Sequence, residues 1–565
     1  MEGIEKIKYL LNRLYGETTG RLAFERISPL IERFSARQRK KQGYFSQDDV
    51  ILITYGDSIQ KEGRTPIAGL NEFALNYLQG TISGIHFLPF FPYSSDDGFS
   101  VMDFFAIDPA HGSWEDVTAI GKDFELMFDY VLNHFSSKSK WFESYLAGKE
   151  GFREFAIEVD PATDLSQVTR PRSLPLLSEY RKKDGTSVHL WTTFSADQID
   201  FNFKSLDVLE KMIEVLLYYV QQGATILRLD AVAYLWKEIG TNCIHLPQVH
   251  DMVKLFRSIL DAVAPEVAII TETNVPHDEN ISYFGDGRDE AQMVYNFTLP
   301  PLLFYSFVKE DTTILSRWAR GLHLASEHNT FFNFTASHDG IGVRPLEGIL
   351  PPGELTALID IVTANGGRVS YKQNPDGTES PYELNITYVD AILADKNATR
   401  ADKFLASQAI QYVLPGVPAT YIHSLLGSRN WTQGVEQTGR ARTINREKLQ
   451  AENLLAELKD PASFRSRVFY PYLKMIKVRS GQKAFHPNAS FEILELDPRI
   501  FAIKRDADDQ TVYALTNISA AEISLSLSEK ETPGRMTDLI TGETVNTDLF
   551  TLKPYQYAWL TADES

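Results

Sequence analysis

Apolar residues along this chain recur with two different periods, and the change falls near residue 50. Ile4, Ile7, Leu10, Leu11 and Leu14 are spaced for one face of a helix, and LAFERISPLIERF carries the pattern to residue 34. Residues 1–45 therefore read as a helical extension. Its basic run ARQRKK (36–41) is read as a solvated helix end. Beyond it, runs of β-branched and aromatic residues alternate with helical patterns. The runs are VILITYGD (50–57), GIHFLPFFP (84–92), FELMFDYVLNH (124–134), TILRLDAV (225–232), VAIITET (267–273), AQMVYNFTLP (291–300), TFFNFTASHDG (330–340) and GVPATYIHSLL (416–426). Near-continuous apolar runs are what parallel strands buried on both faces require, and eight of them predict a closed (β/α)8 barrel.

Two stretches interrupt that alternation. Residues 135–205, rich in Asp, Pro, Thr and Arg, are too long for a βα loop and are read as an inserted domain B. A second polar stretch, GGRVSYKQNPDGTESPYEL (366–384), predicts an insertion over 350–400 between strands 7 and 8. The barrel then occupies 46–134 and 206–484. From 485 onward alternating segments such as FEILEL (491–496) and RIFAIKR (499–505) predict a C-terminal antiparallel β-domain, 485–565. A Ser113 to Asp116 capping-box pattern predicts the start of the helix that leads into strand 3.

Composition narrows the chemistry. The 565 residues are 43% hydrophobic and 12% aromatic, the profile of a folded globular protein. A formal net charge of −19 disfavours nucleic acid and anionic membranes as partners, and no segment reads as a signal peptide or membrane span. The single cysteine, Cys243, has no intramolecular disulfide partner, which places the chain in the cytoplasm. With no Cys/His cluster and no dedicated acidic loop, no metal site is predicted. Nothing in the sequence sets the oligomeric state.

Three carboxylates stand where predicted strands run into loops: Asp230, Glu272 and Asp339. A lone strand-end carboxylate is commonly a helix cap or a loop salt bridge, but three in register at barrel strand ends point into one cleft. Cleavage of a glycosidic bond with retention needs one ionised and one protonated carboxyl on opposite sides of the reacting carbon. Arg228 lies two residues before Asp230, on the same strand face, and is expected to keep it ionised as the nucleophile. Glu272 follows the apolar segment VAII, whose burial favours the neutral form that a general acid needs. Asp339, beside His338, is assigned transition-state stabilisation.

FDYVLNH, LRLDAV, ITET and ASHDG resemble the four signature regions of the α-amylase clan of retaining glycoside hydrolases, from about residue 50 to the C-terminus. The resemblance implies the barrel with domain B and a C-terminal β-domain, and Asp230, Glu272 and Asp339 as its triad. It also implies Asp129, Asn133, His134, Arg228 and His338 at the glucose subsite. LPFFPYSSDDGF (88–99), VTRPRSLPLL (168–177), WTTFSADQIDFN (191–202), NFTLPPLL (296–303), SHDGIGV (337–343) and RTINR (442–446) are similar to the sucrose phosphorylase group. By that likeness Asp96 and Arg446 close the glucose pocket, Phe99 and Phe194 pack on the sugar with Gln198 nearby, and Arg172 lies on the acceptor loop that binds phosphate.

At two acceptor-side positions the chain departs from that group, with Glu383 where its members carry Gln and Asn274 where they carry His. The N-terminal extension, ITETNVPH (270–277), SPYELNITY (380–388) and LLGSRN (425–430) are instead similar to the branch that contains glucosylglycerate phosphorylases. That branch implies reversible phosphorolysis of 2-O-α-D-glucosylglycerate through a covalent glucosyl-aspartate, with inorganic phosphate as co-substrate and no cofactor. Arg172, Arg429 and Arg442 are the candidates for the phosphate or glycerate carboxylate. Sucrose or sucrose-6-phosphate phosphorolysis, or α-glucoside hydrolysis, are the alternatives.

Overall fold

The computed structural model describes residues 3–34, 43–374, 376–395, 399–528 and 532–562. The basic run 36–41 lies outside the described residues. Eight parallel strands close a barrel: β1 (Ile51–Thr54), β2 (Gly84–Phe87), β3 (Glu125–Val131), β4 (Ala224–Asp230), β5 (Ala268–Thr271), β6 (Met293–Tyr295), β7 (Thr330–Phe334) and β8 (Val417–Tyr421). Neighbours in the chain are neighbours in the barrel, and β8 pairs with β1 to close it. Each strand arises from one predicted apolar run, but most runs overshoot at the C-terminal end. In β7, for example, hydrogen bonding stops at Phe334 while the run continues to Gly340. These overhangs run into the loops that rim the top of the barrel.

Parallel registers fix which side chains meet. Asp129 on β3 stands opposite Arg228 on β4, and Leu229 opposite Thr271 on β5, so Asp230 and Glu272 leave adjacent strands side by side. The predicted capping box is present: the Ser113 amide donates to Asp116 Oδ2 at 3.0 Å at the start of the helix Trp114–Ile120.

Between β3 and β4 the chain forms two antiparallel ladders, His134–Ser136 with Gln198–Asp200 and Leu177–Arg181 with Ser187–Trp191. Asp197 accepts from the hydroxyls of Ser94, Ser95, Ser100 and Ser137, which ties this region to the loop after β2. Between β7 and β8 the hairpin Arg368–Gln373/Glu379–Asn385 is joined by Ile341–Gly342, ahead of the residue 350 expected from composition. Gly342 has no side chain to block the approach of Asn274, so the segment just past Asp339 can serve as a third strand. A six-stranded antiparallel sheet (490–561) closes the C-terminus, and the buried Arg505 bonds the carbonyls of Val413, in the barrel, and of His486, at the start of the C-terminal region. No described helix is long and apolar enough to cross a membrane.

The N-terminal extension forms two helices, α1 (Gly3–Tyr15) and α2 (Glu17–Phe34), reversed at Gly16, whose φ of +79° suits glycine. Ile7, Leu10, Leu11 and Leu14 are buried as their spacing predicts, while Ile4, at the first turn, is exposed. The pair packs on the barrel helices Leu206–Gln221 and Pro247–Val263, where Arg26 bridges Asp207 and Glu210, and Arg13 meets Asp251. The two helices touch backbone to backbone at Gly20, where a Cβ would lie 2.8 Å from the Asn12 Cα. Gly20→Val should therefore lower the urea midpoint of unfolding by the equivalent of about 1–3 kcal/mol. An unchanged midpoint would mean that the hairpin does not dock in this way.

Candidate active site

At the C-terminal end of the barrel a cavity encloses about 760 Å³, open solvent at its mouth included. Asp230, Glu272 and Asp339 line it together with Asp96, Phe99, His134, Phe194, Gln198, Arg228, His338, Glu383, Arg172 and Arg442. Its floor is organised by Arg228, which is 2% exposed. One guanidinium nitrogen donates to Asp230 Oδ1 at 2.8 Å and also to Asp129; the other lies 3.9 Å from Glu272 Oε1. The guanidinium carbon lies over the Phe99 and Tyr295 rings, 5.6 and 5.5 Å from their centroids, and these rings fix its plane. Asp129 also accepts from His86 Nε2 at 2.8 Å, on the adjacent β2. Arg228 and His86 together hold the Asp129 carboxyl below its ordinary value against its burial.

The chain bends sharply after Asp230. Ala231 has φ +50°, a left-handed conformation costly for a residue with a Cβ, and its amide donates to Glu272 Oε2 at 3.1 Å. The same bend thus ends β4 at Asp230 and anchors Glu272. Across the cavity, His338 stacks on Phe99 (centroids 4.7 Å apart, planes at 11°), and burial holds its imidazole neutral. Gln198 Nε2 lies 3.2 Å from Asp96 Oδ2 and 3.1 Å from His134 Nε2, and His134 is bound to the Phe99 carbonyl at 2.9 Å. Asn133 takes a structural place: it accepts from the buried Lys237 at 2.8 Å, and Lys237 in turn pairs with Asp200 at 2.5 Å. Tyr234, Tyr382 and Phe297 line the cavity beside Asn274 and were not singled out by sequence. Tyr382 in SPYELNITY and Phe297 in NFTLPPLL lie within segments that the sequence flags, and Tyr234 lies in neither.

The α-amylase catalytic-domain model matches residues 61–340, and the maltogenic-amylase C-terminal model matches 491–559. The chain is 48% identical to a glucosylglycerate phosphorylase of Spirochaeta thermophila over 99% of both chains. It is 44% identical to one of Escherichia coli, over 98% of this chain and 100% of that one. The chain belongs to the α-amylase family. Within the family it is an enzyme of the glucosyl-transferring phosphorylase type. A crystal structure of sucrose 6F-phosphate phosphorylase from Thermoanaerobacter thermosaccharolyticum superposes with a TM-score of 0.75 at 24% identity, covering 91% of this chain and 99% of that one, and shares the fold.

The arginines stand in different surroundings. Arg446 lines the outer part of the cavity together with Asp96, and is ion-paired with Asp97 while donating to the His338 carbonyl at 2.8 Å. Arg429 does not line the cavity: its Nε donates to the buried Asp390 at 2.5 Å and its guanidinium lies over Phe464. Arg442 does line it, but is engaged by carboxylates. Its Nη1 lies 2.7 Å from Asp339 Oδ1, and Nε and Nη2 reach Glu383 at 2.9 and 2.6 Å. Arg172 faces the cavity, 5.5 Å from the Tyr382 ring centroid and 6.0 Å from that of Phe194.

The ionisation of Asp230 depends on burial and on Glu272 as well as on Arg228. Burial pushes both Asp230 and Glu272 above their ordinary values, and Arg228 does not offset it at either. One guanidinium cannot neutralise Asp129, Asp230 and Glu272 together, so the last two share a proton and titrate as a pair. Burial raises Asp230 further than Glu272, but the direct bond of 2.8 Å from Arg228 to Asp230, against 3.9 Å to Glu272, favours the charge on Asp230 and the proton on Glu272. Asp339 is opposite in sign: Arg442, Arg446, Arg228 and Arg172 outweigh its burial and hold it below its ordinary value.

A carboxyl raised on folding contributes stability at low pH that is lost as pH rises through its folded value. Removing Arg228 unpairs the buried Asp129 and raises Asp230 and Glu272 further, so Arg228→Met should destabilise already near about pH 5 and more, by about 3–5 kcal/mol, near about pH 8. Unfolding midpoints of wild type and variant at both pH values read this directly, and a gap that does not widen with pH would contradict the charge assignment.

Proposed function

We propose that the protein is a retaining glycoside phosphorylase converting 2-O-α-D-glucosylglycerate and inorganic phosphate reversibly to α-D-glucose 1-phosphate and D-glycerate. The observation that carries this reading is the joining of Asp230 and Glu272 through Arg228 and the Ala231 amide, at adjacent strand ends beside the cavity-facing Arg172. Identity of 48% and 44% along whole glucosylglycerate phosphorylases supports the choice of acceptor.

In the first step Asp230 attacks the anomeric carbon as Glu272 gives its proton to the departing glycerate oxygen, leaving a β-glucosyl ester on Asp230. As positive charge grows on the ring, Asp339 binds the neighbouring hydroxyls more strongly. Asp96, Gln198, His134 and His338 hold the glucosyl unit, and Phe99 supports His338 from behind. Phosphate then enters the space glycerate leaves, held by Arg172. It attacks the same face, the ester breaks, and Glu272, now a carboxylate, takes up the proton of a hydrogen phosphate nucleophile. Two inversions give net retention. No step needs a cofactor or a metal ion.

The test is release of α-D-glucose 1-phosphate from glucosylglycerate and from sucrose with inorganic phosphate, alongside free glucose without phosphate. The proposal expects phosphate-dependent turnover of glucosylglycerate. Turnover of sucrose alone would move the acceptor, and free glucose at an equal rate with or without phosphate would make the protein a hydrolase.

A further inference from the structure

Glu383 is buried to 2% exposure in the wall of the cavity and, for a carboxylate beside an anion site, is unusually well bound. Oε1 accepts from the Gly340 amide at 2.7 Å and from Arg442 Nε at 2.9 Å; Oε2 accepts from Arg442 Nη2 at 2.6 Å and lies 3.9 Å from Arg172 Nη1. The approach is built into the backbone. A Cβ on Gly340 would lie 2.7 Å from Glu383 Cγ, and the Gly342–Glu383 pairing holds the carboxylate in place. With Nη1 on Asp339, both carboxylate-binding edges of Arg442 are occupied by the protein itself.

We propose that Glu383 is an internal counter-anion that closes Arg442 to the acceptor's anionic group and leaves Arg172 as the one open guanidinium of the acceptor subsite. The idea rests on the proposed phosphorolysis, in which glycerate must leave and phosphate must enter the same space in every turnover. Two open arginines would hold either anion tightly and slow that exchange. One arginine, partly neutralised by Glu383, binds each anion while still releasing it. Glu383 is thus a positioning residue that acts through Arg442 and Arg172 on acceptor affinity.

The test uses the full chain with α-D-glucosyl fluoride as donor, whose leaving group needs no acceptor, and titrates inorganic phosphate, D-glycerate and uncharged glycerol as acceptors. Glu383→Gln keeps the shape and removes the charge, so the apparent KM for phosphate and for glycerate should each fall about five- to tenfold. The KM for glycerol should not move. Loss of packing cannot tighten binding, so this direction separates the electrostatic role from a structural one. Anion KM values that stay the same or rise, or a glycerol KM that falls with them, would overturn the proposal. In a second variant, Arg172→Gln, both anion KM values should rise steeply, because Arg442 cannot substitute while Glu383 holds it. Unchanged values there would also overturn the proposal. If wild type accepts neither anion from the fluoride donor, the phosphorylase reading fails instead.

Discussion

One buried cation organises the catalytic end of this barrel. Arg228 lies between two aromatic rings, bonded to Asp129 and Asp230 and within 3.9 Å of Glu272. Three acids around one guanidinium leave an excess of negative charge in a site shielded from water, and the least costly way to relieve it is to keep a proton. In the proposed reaction that proton rests on the carboxyl that Arg228 does not bond directly, so that Asp230 would serve as nucleophile and Glu272 as proton donor. The barrel registers that set Asp129 against Arg228, and the bend at Ala231 that ties the two acids together, serve this arrangement.

The fold was legible where burial leaves no alternative. All eight barrel strands are sheathed on both faces, so each reads as an apolar run, and their ends alone were blurred because the apolar residues continue into the loops over the cavity. The three acids were legible because each follows such a run. Backbone turns decided what sequence spacing missed. Asp96 and Asp97 both adopt left-handed φ, +54° and +47°, which sends one carboxylate to the cavity and the other to Arg446. Arg442 and Arg446, four apart, would share a face of an α-helix; the intervening 3-10 stretch Ala441–Asn445 separates them, so Arg442 reaches the inner cavity while Arg446 lines its outer part.

Charge differs between the two ends of the cavity. Around Asp96, the His134 imidazole and the Gln198 amide are bonded to one another. Around Glu383, arginines and acids are paired. Tyr234, Tyr382 and Phe194 wall this end, and aromatic contacts restrict the flexible Arg172. The hairpin 368–385, tied to Ile341–Gly342, brings Glu383 within reach of the strand-end acids. A segment that reads as a surface insertion in sequence therefore supplies part of the wall of the site.

The central claim is that Asp230 carries the glucosyl group. Incubation with a 5-fluoro-α-D-glucosyl fluoride, whose ring fluorine destabilises the charged transition states and slows turnover of the ester, followed by proteolysis and peptide mass spectrometry, locates the attachment. The account predicts a fluoroglucosyl mass on the peptide containing LRLD, at Asp230. A label on Asp339 or Glu272, or no label with a β-configured sugar phosphate as product, would contradict it.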